Sequence, residues 1–172
     1  MAAGSGSTNP PLDRDPHSAS PSRRETDNSA ETAAKDLCSP VVLLVEDNET
    51  DVFIITEVLE RAGFRFRLHV SRDGQAALSY LQDLERIGPP PRPDLVLLDL
   101  NIPKINGIEV LERIRSAVPH TPVPVVVITS SESQSDRRAV ERLGADAYFR
   151  KPNNIEEYMR LASLVARFLP AP

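Results

Sequence analysis

Two acids stand side by side at Glu46 and Asp47, a third at Asp99, a hydroxyl pair at Thr129 and Ser130, and an amine at Lys151. Each closes or follows a short apolar run: Val41–Val45, Leu95–Leu98, residues 123–128 (interrupted by Pro124) and, more weakly, residues 145–149. If those runs lie side by side, three carboxylates, a hydroxyl and an ammonium converge on one patch. Carboxylates so close repel, so either protons or a cation must be present. An oxygen-only ligand set selects a hard cation, and Mg²⁺ characteristically takes one or two carboxylates with waters and phosphate oxygens. A lone lysine opposite is a point charge suited to a phosphoryl group, and a threonine hydroxyl can donate one hydrogen bond to a phosphoryl oxygen. A carboxylate can itself act as nucleophile and become an acyl phosphate. Asp99, which ends the central run and so should face both cation and lysine, is the best nucleophile of the three.

The elements that must position these groups are legible as alternating periods. Near-continuous apolar runs read as strands covered on both faces. Residues 65–70 alternate Phe66, Leu68 and Val70 with Arg65, Arg67 and His69, as expected of a half-exposed edge strand. Between the runs, apolar residues recur at helical spacing. Val52, Ile55, Leu59 and Ala62 form a first stripe, closed by Gly63 in a C-terminal cap. Asp73 precedes a second, with Ala77, Leu81, Leu84 and Ile87 before Gly88. Ile108, Leu111 and Ile114 make a third that ends near Pro119, and Ser135 or Asp136 starts a fourth that runs to Gly144. Ile155, Met159, Ala162, Val165 and Leu169 make a fifth. Such alternation predicts a parallel sheet with right-handed crossovers and helices on both faces. Ligands then bind beyond the carboxyl ends of the strands, where the order reverses.

Composition bounds the rest. The chain has 172 residues, enough for one ordinary domain and a tail. Residues 1–39 are rich in Ser, Pro, Gly, Asp and Glu, with Leu12 and Leu37 their only large aliphatics, and are expected to be disordered. No apolar run approaches the roughly 20 residues that span a bilayer, so a soluble protein without membrane contact is expected. Twenty basic against 25 acidic residues, net −5, argue against a general nucleic-acid binder. The single cysteine, Cys38, makes neither an internal disulfide nor a cysteine-based zinc site, and without a signal peptide the expected compartment is the cytoplasm. The three histidines fall in the tail (His17), the edge strand (His69) and a proline-rich loop (His120), and none is expected to have a special role.

The segments LLVEDN (residues 43–48), LLDLNIPKINGIEVL (97–111), VVVITSS (125–131) and AYFRKP (147–152) together carry a resemblance. They resemble the receiver domains of bacterial two-component response regulators over about residues 40–169, in spacing as well as type. Pro103 and Gly107 follow Asp99 at four and eight positions, Thr129 at thirty and Lys151 at fifty-two. The resemblance implies an α/β, flavodoxin-like (βα)5 doubly wound fold with a five-stranded parallel sheet in the order 2-1-3-4-5. It also implies roles: Asp99 as phosphoacceptor, Asp47 as a direct Mg²⁺ ligand, Glu46 acting largely through water, and Asn101 offering its backbone carbonyl. Thr129 and Lys151 would bind the phosphoryl oxygens, and Tyr148 would swing inward as the threonine moves. The Lys151–Pro152 bond would be cis, and Ser130 is small enough to leave the phosphoryl group accessible. Two other phosphate chemistries fit less well. Residues 95–99 resemble a Walker B strand, but no Gly-x-x-x-x-Gly-Lys-Ser/Thr accompanies them. A haloacid-dehalogenase-type phosphatase wants a second Asp where Asn101 stands.

The sequence leaves no expected output domain beyond the fifth helix, so the signal should pass through protein–protein contact or by accepting and donating a phosphoryl group. The protein is expected to be a stand-alone phosphoacceptor rather than an enzyme, with at most slow self-phosphorylation from small donors and slow autodephosphorylation. Two alternatives stay open: a phosphorelay shuttle to a histidine phosphotransfer protein, and a silent receiver-fold adaptor. The enlarged connection at residues 86–94, with ETDVFIITEVLERAG and RDGQAALSYL before it, resembles receivers that partner phytochrome-type sensor histidine kinases. Mixed charge at Arg137, Arg138, Glu141, Arg142, Asp146, Arg150, Glu156 and Glu157 would suit either a phosphorylation-dependent homodimer or a solvated face.

Overall fold

The computed structural model describes residues 39–86, 92–117 and 123–170. The expected disordered tail, up to residue 38, and the core of the proline-rich connection, residues 87–91, lie outside these. Ten elements alternate: β1 (Val41–Val45), α1 (Glu49–Arg61), β2 (Arg67–Ser71), α2 (Gly74–Arg86), β3 (Leu95–Leu98), α3 (Gly107–Ala117), β4 (Val125–Thr129), α4 (Gln134–Arg142), β5 (Ala147–Arg150) and α5 (Ile155–Val165). The strands are all parallel, in the order β2-β1-β3-β4-β5. Chain order therefore reverses between β1 and β3, where a doubly wound sheet opens its ligand crevice.

Side-chain alternation along the three central strands builds two cores. Val42, Leu44, Leu95, Leu97, Val126 and Ile128 face Ile55, Val58 and Leu59 of α1 and Tyr158, Leu161 and Val165 of α5. Leu43, Val45, Val96, Leu98, Val125 and Val127 face Ala77 and Leu78 of α2, Val110, Leu111 and Ile114 of α3, and Val140 of α4. Every residue of β1, β3 and β4 is buried, which is why these strands read as continuous apolar runs. At the edge, β2 is only half-buried, and its His69 ring stacks on Tyr80 of α2 at 3.7 Å. No helix among the described residues is long and apolar enough to cross a membrane.

Several local expectations need correcting. The edge strand runs from Arg67 rather than from residue 65. Helix α4 begins at Gln134, because the Ser133 hydroxyl caps it by accepting the Asp136 N–H. The buried face of α5 is Tyr158, Leu161, Ala162, Val165 and, beyond its end, Leu169, whereas Ile155 and Met159 are 47% and 41% exposed. The stripe expected there was thus rotated at its start. Finally, the Lys151–Pro152 bond is trans, like every described peptide bond. Trans is the favoured isomer before proline by about 0.5–1 kcal/mol, and the Lys151 ammonium reaches its partners from it. The helix stops at Gly63 and Gly144 do hold: both sit at positive φ, 90° and 78°.

Candidate functional site

Strand register assembles the site. Val45 pairs with Leu98, so the next residues, Glu46 and Asp99, emerge as neighbours at the crevice. Their backbones continue the ladder, with the Glu46 N–H donating to the Ser71 carbonyl and the Asp99 N–H to the Val45 carbonyl, each at 3.0 Å. Beyond β5, the Lys151 N–H donates to the Thr129 carbonyl at 2.9 Å, which turns the lysine side chain across the sheet top.

The Lys151 ammonium donates to three carboxylates: Glu46 Oε2 at 2.7 Å, Asp99 Oδ2 at 2.7 Å and Asp51 Oδ2 at 2.9 Å. Its side chain is 7% exposed, those of Glu46 and Asp99 1% and 5%, and that of Asp51 22%. Burial works against the charge on Lys151, but its hydrogen bonds to Asp99, Glu46 and Asp51 more than reverse this and hold its pKa above that of ordinary lysine. Burial likewise pushes the Glu46 carboxyl above the usual carboxylate range, and the shared ammonium only partly opposes it. Nearby, burial and then the Asp51 charge push Tyr158 up to about 12.

Of the expected site residues, Glu46, Asp99 and Lys151 come into direct contact. Thr129 ends β4 fully buried, its hydroxyl accepting the Ser131 N–H at 3.1 Å. Asn101 is exposed, and its N–H donates to Asp99 Oδ1 at 3.0 Å. Asp47 is exposed and is not among the carboxylates on Lys151. Tyr148 is half-buried on the wall of a cleft of about 410 Å³, and its hydroxyl donates to the Ser131 carbonyl at 3.1 Å. The Arg137 guanidinium stands 5.6 Å from that ring's centre.

Asp51 is the residue that sequence reasoning passed over. Its signal was present, an acid two positions inside α1 and four after Asp47, but acids are ordinary in a first helical turn.

The loop after Asp99 is held from two sides. Gly107 starts α3 so close to β3 that a Cβ there would lie 2.2 Å from the Asp99 carbonyl oxygen. Lys104 adopts φ 66°, an uncommon conformation for a residue with a side chain, and its ammonium meets Asp73 Oδ2 at 2.6 Å. Asp73 also accepts the Ala76 N–H at the start of α2, and its carboxyl sits below its usual pKa chiefly through Lys104.

The donor chemistry fits a hard divalent cation, since every candidate ligand is an oxygen. Among the described residues, however, no group of three or more His, Cys, Asp or Glu is placed to hold a metal. The Lys151 ammonium stands where the oxygens of Glu46, Asp51 and Asp99 meet, and supplies the positive charge there.

A doubly wound sheet with acids at its switch point, a buried threonine at the end of β4 and a lysine reaching across from β5 fits an α/β domain that handles phosphoryl groups. The particular family follows from comparison. The model of the response regulator receiver domain matches residues 42–163, and the chain belongs to that family. It is 37% identical over 128 residues to response regulator Rcp1 of Synechocystis sp., covering 74% of this chain and 87% of that one. Among solved structures, the phosphorylated cyanobacterial phytochrome response regulator RcpA matches with a TM-score of 0.69 and 32% identity over 78% of this chain and 96% of its own. The Mn²⁺-bound form of Rcp1 matches with a TM-score of 0.66 and 36% identity over 77% of this chain and 99% of its own.

Proposed function

We propose that this receiver domain accepts a phosphoryl group on Asp99 from the phosphohistidine of a sensor histidine kinase of the phytochrome type. The observation that carries the reading is the buried Asp99 carboxylate with one oxygen on Lys151 and the other on the Asn101 N–H. In the transfer, an Asp99 carboxylate oxygen forms a bond to phosphorus as the phosphorus–nitrogen bond breaks. The imidazole nitrogen keeps the electron pair. Little covalent work is left for the protein, so its contribution is positioning and charge neutralisation. Asp47, Asp99 and the Asn101 carbonyl would hold Mg²⁺, with Glu46 beside them, and the bound ion would neutralise charge on the phosphoryl oxygens. Lys151 and the Thr129 hydroxyl would take the oxygens of the attached group.

The output would be a change of partner affinity on the face bearing α4, β5 and α5. The Thr129 hydroxyl accepts the Ser131 N–H and keeps its own proton for a phosphoryl oxygen, so a turn toward that oxygen would pull on the Ser131 backbone. Tyr148, held to the Ser131 carbonyl, is placed to respond to that movement. The protein would act in the cytoplasm as a phosphoacceptor rather than an enzyme, apart from slow self-phosphorylation and autodephosphorylation, and the acidic balance gives no reason for a nucleic-acid partner. Phosphorylation-dependent pairing of two copies would use the mixed-charge surface on the same face.

Intact mass after incubation with acetyl phosphate tests the reading. One phosphoryl adduct that requires Mg²⁺ and is lost in Asp99→Asn supports it. An adduct that survives in Asp99→Asn excludes Asp99 as the acceptor, and no adduct together with no Mg²⁺ or beryllofluoride binding favours a silent adaptor.

A further inference from the structure

An ammonium has three protons to donate, and Lys151 spends all three on carboxylates. A phosphoryl group arriving at Asp99 therefore meets a saturated lysine. Lys151 can contact a phosphoryl oxygen only by releasing a present partner. Asp99 is the residue being modified, and until the new bond forms its carboxylate keeps its charge and its hold on the ammonium. Glu46, 1% exposed, would be left as a buried anion without its cation, the costliest release. Asp51 differs in three ways. Its bond is the longest of the three at 2.9 Å, its side chain is 22% exposed, and it lies in the first turn of α1, where the helix N-terminus stabilises an anion on its own.

We infer that Asp51 is a positioning residue that holds Lys151 in the resting site and is the partner it gives up, so that Asp51 competes with the incoming phosphoryl group for the lysine. This rests on Asp99 being the phosphoacceptor. The competition sets the threshold for phosphorylation: it raises the donor concentration needed while leaving the bond-making step alone. With acetyl phosphate that step forms the Asp99 oxygen–phosphorus bond as the phosphorus–oxygen bond to acetate breaks, and acetate leaves with the electron pair.

The test is the initial rate of adduct formation against acetyl phosphate concentration at fixed Mg²⁺, for the wild type, Asp51→Asn, Asp51→Glu and Glu49→Gln. Glu49 is a charge control: it shares the first turn, is 89% exposed and ion-pairs with Arg72 at 3.6 Å rather than with Lys151. Asp51→Asn should lower the half-saturating concentration roughly three- to tenfold, the scale of a partly exposed charge-assisted hydrogen bond, with the maximal rate nearly unchanged. Asp51→Glu should restore the wild-type value, and Glu49→Gln should leave it in place. Without metal or donor, the ¹⁵N resonance of the Lys151 ammonium should move in Asp51→Asn and stay put in Glu49→Gln. An unchanged or raised half-saturation in Asp51→Asn, an equal fall in Glu49→Gln, or an unmoved lysine resonance overturns the role of Asp51 while leaving Asp99 as acceptor. No adduct on the wild type together with no Mg²⁺ or beryllofluoride binding overturns the phosphoacceptor reading itself, and this inference with it.

Discussion

Glu46 and Lys151 respond to burial in opposite ways, and each makes a prediction. The Glu46 carboxyl is raised because its anion loses more on leaving water than a shared ammonium returns. A carboxyl whose pKa is higher folded than unfolded favours the fold in its protonated form. That contribution is complete below its ordinary 4.5 and is lost as pH rises through the raised value. The wild type should therefore gain Glu46's share of stability on acidification from neutrality into that window. Glu46→Gln should lack that gain without being weaker at neutral pH. Urea unfolding at about pH 7 and pH 5 measures both, and an undiminished gain in the variant would assign it to another group. Lys151→Met leaves Glu46, Asp51 and Asp99 without their cation. It should cost about 3 kcal/mol at neutral pH without metal, as expected for removing one partner of a buried ion pair. Millimolar Mg²⁺ should return more stability to this variant than to the wild type. An equal effect on both would mean that the ion does not replace the lysine's charge.

At the scale of elements, the decisive feature is how closely the helix starts approach the strand ends. Gly107→Ala drives a methyl group against the Asp99 backbone, which cannot yield without moving the Asp99 carboxylate. A loss of about 1–3 kcal/mol, typical of overpacking, should therefore come with slower phosphorylation at saturating donor. Slower unfolding, or lost stability with unchanged phosphorylation, would show that the loop adapts. Physical differences between elements also explain which of them were readable from sequence. β1, β3 and β4 are buried on both faces, and the strands of a parallel sheet characteristically show such runs. In α5, Ile155–Met159–Ala162 and Tyr158–Ala162–Val165 satisfy the same helical spacing, and only packing against α1 and the sheet selects the second. The start of α4 was misplaced because Ser133 and Ser135 are both competent caps, and the bond from Asp136 N–H chooses Ser133. Asp51 was hidden by its ordinariness in a first helical turn, and the isomer at Pro152 by the small energy between the two forms.

For the whole molecule, one sheet separates two cores that share few neighbours. Leu161 lies on the α1 and α5 side and Leu111 on the α2, α3 and α4 side, both fully buried. Each Leu→Ala change should cost about 2–5 kcal/mol, and the double variant should equal the sum to within roughly 0.5 kcal/mol. A clear departure from additivity in urea unfolding would show that the sheet couples the two faces. The same sheet lets groups far apart in sequence meet: Glu46 and Lys151 are separated by 105 positions, and parallel order brings both to the crevice. Motif spacing made the family and the meeting of Glu46, Asp99 and Lys151 legible in advance. How the resting site shares one ammonium among three acids required the structure.

Reductive trapping tests most directly whether the Asp99 carboxylate is the acceptor. Acetyl phosphate and Mg²⁺ are added to the full chain, borohydride follows, and the peptide containing residue 99 is sequenced by mass spectrometry. Borohydride reduces an aspartyl phosphate to homoserine, so homoserine is expected at position 99 and nowhere else. Homoserine at Asp47 or Asp51, or intact aspartate at 99 in protein that carries the adduct, would contradict it.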